Sequence, residues 1–192
     1  MDKHFFKINK ELKESQKRKK ALIDEEGRTI ISISVLKDDD FLSYYSINEQ
    51  PIITTEVADC LENSVKHLKP KTKLHFIFKS NEIDENEEIA YEKAINNYYT
   101  SEFIELCNDM RSHLFLSLIM TFVGAFFFAL SLIVEKNSDN QILFNIIDII
   151  AWVFVWEAVD IFFLERAKLK YKRQRCFEIM NSKISFHKSD EK

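Results

Sequence analysis

The chain has 192 residues and a formal net charge of −4, and its 17 Phe contrast with only two Gly and two Pro. So little Gly excludes a glycine-rich phosphate-binding loop, and so few turn formers indicate a largely helical chain. Three cysteines without zinc-type spacing exclude a disulfide framework and predict free thiols in a reducing compartment, so we expect no metal and no cofactor.

The N-terminal segment, residues 1–28, is highly charged, and its few apolar residues recur at helical spacing. We predict a charged helix here that ends at Gly27. Such a helix would lie on a membrane or on a neighbouring subunit, or it would remain a solvated arm.

Residues 29–112 contain strand patterns and predict a small domain. Apolar residues alternate over 29–36 and 73–78, which predicts two strands, and 41–47 is expected to pair back on the first strand as a hairpin. The tail 182–187 also alternates and is a candidate edge strand. This order of elements predicts a small α+β layer.

Helical patterns separate and follow these strands. A single apolar stripe predicts a helix over 56–68, and a second helix is expected to begin after Asp84. The second helix is predicted to renew at Thr100 or Ser101 and to continue into the apolar segment beyond. The acidic run 81–88 is interpreted as its solvated start.

Two apolar stretches, residues 114–134 and 142–164, have the length that a helix needs to cross a bilayer. The first contains no charged residue, whereas the second contains three carboxylates. Because the connection between them is short, we predict a transmembrane helical hairpin over residues 113–165.

A basic segment, residues 166–192, follows the hairpin. Its cations are Arg166, Lys168, Lys170, Lys172, Arg173 and Arg175. Because such runs stay in the cytoplasm, we expect a multi-pass protein of the bacterial inner membrane with both termini cytoplasmic. The run would bind anionic lipids, or an anionic ligand such as an oligonucleotide.

The second apolar stretch concentrates its polar residues on one helical face. This acid–tryptophan face consists of Asn145, Asp148, Trp152, Trp156 and Asp160, with Glu157 on its flank. The opposite side is expected to face lipid through Ile147, Ile150, Phe154, Ala158 and Ile161. Because carboxylates are costly in lipid, we expect the acid–tryptophan face to meet a pore or other chains, unless its tryptophans only anchor the helix at the interface. Small residues of the first stretch are expected to allow close helix packing: Ser117, Thr121, Gly124 and Ser131.

Catalytic motifs are lacking. The five histidines fall on different predicted elements and are interpreted as surface or interface residues. A membrane enzyme would need Glu157 and Asp160 as its acids, yet no nucleophile stands near them in the sequence. We therefore expect a protein without catalytic activity.

The stretch "WVFVWEAVDIFFLER", residues 152–166, resembles the second span of a group of small bacterial two-span membrane proteins. In that group an α/β cytoplasmic region precedes the hairpin and a basic helix follows it. The general plan is also similar to the channel effectors of nucleotide-signalling antiphage defence of the Hailong type. That resemblance implies an oligomeric channel controlled by an oligonucleotide or nucleotide, together with an enzyme encoded in the same operon.

The sequence thus predicts an α+β membrane protein with a small cytoplasmic α/β domain, a transmembrane hairpin and a basic C-terminal helix. The predicted function is that of a homo-oligomeric, ligand-gated ion channel or membrane effector. The alternative is an adaptor that holds its cytoplasmic domain, or a partner enzyme, at the membrane.

Overall fold

A computed structural model describes residues 23–35, 38–45, 49–137 and 140–188. These residues form two compact units. The first contains the described residues up to Tyr98 together with those from Glu178 onward, and the second is Tyr99–Phe177. Most of the predicted N-terminal helix lies outside the described residues.

The first unit is built on a sheet of three parallel strands, β1 (Thr29–Ser34), β2 (Leu74–Lys79) and β3 (Lys183–His187). The middle strand is β2, which pairs with β1 on one side and with β3 on the other. The fold class is therefore mixed α/β, and the strands predicted near 29–36, 73–78 and 182–187 are confirmed.

The apolar core of the first unit covers one face of this sheet. Helix α1 (Thr55–Val65) buries Leu61 and Val65, and its position confirms the helix predicted there. The Phe41 ring stacks on Tyr91 with centroids 4.2 Å apart and meets Phe78 edge-on. Burial is the main cause that raises the pKa of Tyr91 well above its ordinary value. A hydrogen bond that the Tyr91 hydroxyl donates to Asp38 raises this pKa further.

The predicted hairpin between residues 41–47 and the first strand was wrong. Among the described residues, Leu42 makes an isolated antiparallel bridge with Ile53, and Ser43 N–H donates to the carbonyl of Ile52. The neighbour of β1 is instead the distant β2, in parallel. Alternation shows which side chains share a face, but it does not identify the partner strand.

The end of the predicted N-terminal helix was also wrong where the structure describes it. A tight turn precedes β1, with Gly27 at φ +74° and its N–H donating to the carbonyl of Asp24. The carboxylate of Asp24 accepts the backbone N–H groups of Glu26 and Arg28. A short acidic side chain that caps its own turn competes with helix formation.

Two long helical stretches follow. Helix α2 (Glu85–Asn137) is continuous, without renewal at Thr100. The stretch Gln141–Met180 comprises α3 (Gln141–Asp160), a π-helical segment (Ile161–Glu165) and α4 (Arg166–Met180). Each stretch contains a window apolar enough to cross a membrane, and only 17% and 11% of those windows are buried. The core helix of a soluble protein would be mostly buried.

Candidate site on the helical hairpin

Helices α2 and α3 approach each other closely through small side chains. A Cβ atom built on Gly124 would lie 2.8 Å from Val155 Cγ2 and 3.4 Å from the carbonyl oxygen of Ala151. Ser117 and Ser131 are almost fully buried, and their hydroxyls donate to carbonyls of their own helix. Since these small residues recur at seven-residue intervals, they form one stripe along α2.

Thr121, the remaining residue predicted for helix packing, is more exposed than the serines. Its hydroxyl donates to the carbonyl of Ser117, so it needs no partner on another helix. The side chain lines a cavity of about 320 Å³ together with Ala158 and Phe162. The structure therefore gathers the four small residues of α2 along the side that meets α3.

The face of α3 expected to meet lipid packs on α2 instead. Two of its members, Ala158 and Ile161, are at most 5% exposed, as is the neighbouring Ala151, and the Phe154 ring stacks parallel to Phe127 at 5.8 Å. The other members of that set are half-buried, Ile147 and Ile150. Two alanines spaced seven residues apart offer the low volume that close packing needs, so side-chain size rather than hydropathy selects the contact face.

Much of the acid–tryptophan face of α3 lies outside the contact with α2. Trp156 is 72% exposed and Trp152 is 56% exposed, although the Trp152 ring meets Phe128 edge-on at 6.0 Å. The polar members of the face are exposed or half-buried: Asn145, Asp148, Glu157 and Asp160. Within the described residues, none of these carboxylates has a hydrogen-bond or ion-pair partner.

A π-helical segment, Ile161–Glu165, follows directly on this face. One extra residue in a helical turn rotates everything after it by about 100° relative to a continuous α-helix. The helical wheel that groups the acid–tryptophan face therefore applies up to Asp160 and not beyond it. A continuous α-helix would also place Phe163 on this side, and its side chain is exposed.

A close contact between a histidine and a glutamate joins α2 to the π-helical segment. His113 Nδ1 lies 2.9 Å from Glu165 Oε2, and both side chains are partly exposed. Beside it, the Arg166 guanidinium lies over the Phe162 ring at 5.2 Å. The sequence interpretation missed this pair. The contact could have been inferred from the predicted hairpin, because a hairpin over residues 113–165 brings its two ends together.

The basic residues of α4 do not form a single patch. Lys168 and Lys172 are exposed one turn apart, Lys170 is exposed on the other side of the helix, and the arginines are half-buried: Arg166, Arg173 and Arg175. Arg175 donates to the Tyr171 hydroxyl at 2.7 Å and lies over its ring. Only part of the predicted basic run is thus presented on one exposed face.

In the first unit, a polar relay connects three distant segments. His75 Nδ1 lies 3.0 Å from Asp24 Oδ2, and its Nε2 lies 2.8 Å from Ser185 Oγ. The expected surface location was wrong for His75, which is buried. Burial raises the pKa of Asp24, but the N–H of Arg28, the His75 ring and the N–H of Glu26 together lower it below its usual range. The relay joins the turn before β1 to β2 and β3.

Comparison with known proteins gave no match to a family model, to a curated protein or to a solved structure. No family is therefore assigned to this chain, and its class follows from its own fold and helices. It is a mixed α/β chain with two helices long and apolar enough to cross a membrane, one of which carries an exposed acid–tryptophan face.

Proposed function

We propose that this chain is an integral membrane protein that assembles into a homo-oligomeric ion channel. The acid–tryptophan faces of α3 from several copies would line a water-filled path, and their carboxylates would favour cations. The observation that carries this proposal is the exposure of that face on a helix whose opposite side is already packed on α2.

The cost of placing carboxylates in lipid supports this arrangement. A charged side chain near the bilayer centre costs about 3 kcal/mol or more unless it faces water or a partner. No Lys or Arg lies within residues 114–134 or 142–164 to neutralise the acids. One chain supplies only α2 and α3, so further helices around a pathway must come from other copies.

The sheet supports a hairpin with both ends on one side of the membrane. β2 precedes the two apolar stretches, β3 follows them, and the two strands pair in one sheet. The chain must therefore cross a bilayer an even number of times between them. The basic residues of α4 favour the cytoplasmic side, which would place both termini in the cytoplasm of a bacterial inner membrane.

The α/β unit is proposed to control the channel. A ligand held there would act on α2, because that helix begins among the core residues of this unit and continues into the apolar stretch. The exposed Lys168 and Lys172 support contact with anionic lipid head groups, or with the nucleotide signal that the resemblance implies.

Reconstitution into liposomes tests the channel. The purified chain should migrate as an oligomer in detergent and should conduct cations in preference to anions. Replacing the acids, Asp148→Asn with Asp160→Asn, should reduce that preference, whereas Asp59→Asn on the exposed side of α1 should leave it unchanged. A monomer in detergent, together with liposomes that stay tight, would overturn the proposal.

A membrane-anchored adaptor is the second candidate, and the exposed lysines of α4 also suit an anchor. A chimera separates the two functions. If both apolar stretches are replaced by unrelated spanning helices, an adaptor retains its activity and a channel loses its conductance. Trp156→Ala should weaken only an assembly that uses the acid–tryptophan face, and Phe122→Ala on α2 serves as an exposed aromatic control.

A further inference from the structure

The α/β unit contains a cavity of about 320 Å³ at the carboxyl end of β1. Its floor is the core of the unit itself, formed by Phe41, Leu61 and Phe78, each at most 3% exposed. Phe41 is fixed between two aromatic rings, Tyr91 and Phe78. The cavity floor is therefore rigid and already formed.

The position of this cavity in the sheet is one that binds ligands in other folds. In open parallel sheets, ligands bind outside the carboxyl ends of the strands, and the cavity lies at that end of the edge strand β1. The cavity meets β1 at Ile33 and Ser34, and it meets the first turns of α1 at Val57 and Cys60. The whole site lies within one compact unit.

The lining combines an apolar interior with acidic groups. Ile33 and Val57 add apolar walls to the aromatic floor, and two exposed acidic residues, Asp40 and Glu56, also line the cavity. Among the residues that the structure describes, no lysine or arginine lines it. An occupant with an apolar body and a positive charge would complement this lining.

We propose that this cavity binds a small aromatic or aliphatic amine. An apolar cavity of about 150 Å³ accommodates benzene, so twice that volume accommodates about twelve non-hydrogen atoms, the size of a two-ring amine. The proposal goes beyond the channel function, because binding at this site does not require conduction. The same cavity disfavours an anionic ligand, which the two carboxylates would repel.

Cys60 provides a direct reporter of occupancy. Its side chain is exposed and lines the cavity, so an occupant should shield the thiol from alkylation. Cys176 is buried, and a Cys107→Ser background removes the partly exposed second thiol. The measurement is the rate of iodoacetamide labelling at Cys60 in the full chain, purified in detergent.

Three probes with the same ring system and different charges test the proposal: tryptamine, indole and indole-3-acetate. Tryptamine should protect Cys60 at about fivefold lower concentration than indole, and indole-3-acetate should protect least. Asp40→Asn with Glu56→Gln should abolish the advantage of tryptamine, while Asp39→Asn with Asp59→Asn should preserve it. Because these residues are exposed, neither pair of substitutions should disturb folding.

A cavity-filling variant gives an independent result. Val57→Trp should abolish protection by every probe, because the added ring occupies the same space. Equal protection by the three probes, protection by none of them, or protection that survives Val57→Trp would each overturn the proposal. Liposome conductance plays no part in these readouts, so failure of the channel proposal and failure of this one are distinguishable.

Discussion

Gly124 is the position where a single methyl group should separate α2 from α3. In Gly124→Ala the new Cβ would lie 2.8 Å from Val155 Cγ2 and 3.3 Å from the Val155 backbone nitrogen. Non-bonded carbon atoms rest at about 3.5–4.0 Å, so the helices must part locally by roughly 0.7 Å or more. Valine is short and stiff about χ1, and it cannot swing aside as a long side chain would.

The magnitude follows from two opposing effects. Overpacking of this kind costs about 1–3 kcal/mol, while alanine improves helix propensity over glycine by about 1 kcal/mol. The net destabilisation should be on the order of 1 kcal/mol for Gly124→Ala, and larger for Gly124→Val, which adds bulk at the same contact. The buried Ser117 and Ser131 lie along the same stripe and would lose packing with it.

Thermal unfolding in detergent, followed by helical circular dichroism, measures this loss. Ala129→Val adds methyl groups to an exposed position of α2 and serves as the matched control. The Ala129→Val control should have the same melting temperature as the wild type. Gly124→Ala should have a lower melting temperature, and Gly124→Val a lower one still. If Gly124→Val is as stable as the wild type, α2 and α3 do not meet at this stripe.

Three further results are expected. Asp24→Asn should destabilise the α/β unit at neutral pH. Because the folded pKa of Asp24 is depressed, this contribution exists above the unfolded value of about 3.9 and disappears as the pH falls through the folded pKa, so melting curves of wild type and variant should converge in acid. A double-mutant cycle of His113→Ala and Glu165→Gln should give a coupling of at most about 1 kcal/mol, because the pair is partly exposed. Lys168→Gln with Lys172→Gln should reduce the salt dependence of single-stranded oligonucleotide binding, measured by fluorescence anisotropy, by roughly 1.4 in log–log slope.

Each of these three expectations has a control variant or an outcome that would contradict it. Glu25→Gln changes an exposed carboxylate in the same turn as Asp24 and should not alter the pH dependence. Melting curves that stay equally far apart at low pH would contradict the role of Asp24. A coupling well above 1 kcal/mol would show a desolvated pair at the hairpin end. Lys66→Gln with Lys69→Gln removes two charges elsewhere in the chain and serves as the control for the oligonucleotide experiment. An unchanged slope in the α4 variant would exclude Lys168 and Lys172 as the oligonucleotide-binding surface.

The sequence located the strands well, because buried and half-buried strands alternate in a way that short-range patterns reveal. Phe76 and Phe78 mark β2, and Ile184 and Phe186 mark β3. The sheet itself was not predictable in the same way. β1 is adjacent to β2, which begins some forty residues later, and pairing at that distance depends on the packing of α1 between them.

The sequence indicated which residues share the acid–tryptophan face, but it did not indicate which side of α3 packs on α2. A rotation of about 100° per residue places Trp152, Trp156 and Asp160 on one side of a helix, and α3 is α-helical up to Asp160. Which side of α3 meets α2 depends on side-chain volume, whereas the lipid-facing set predicted from the sequence contained Ala158 but not Ala151. The π-helical segment leaves no simple trace in composition, so residues beyond Asp160 could not be placed on the same wheel.

The position of β3 in the chain orders the events of biosynthesis. The strand at Lys183–His187 emerges from the ribosome after both apolar helices, yet it completes the sheet begun by Thr29–Ser34 and Leu74–Lys79. The α/β unit therefore cannot close until both apolar helices have been synthesised, and in the proposed membrane topology the tail must return to the starting side to close it. In that proposed topology, a chain whose tail stayed on the other side would leave β2 unpaired along one edge, which exposes this edge to pairing with other chains.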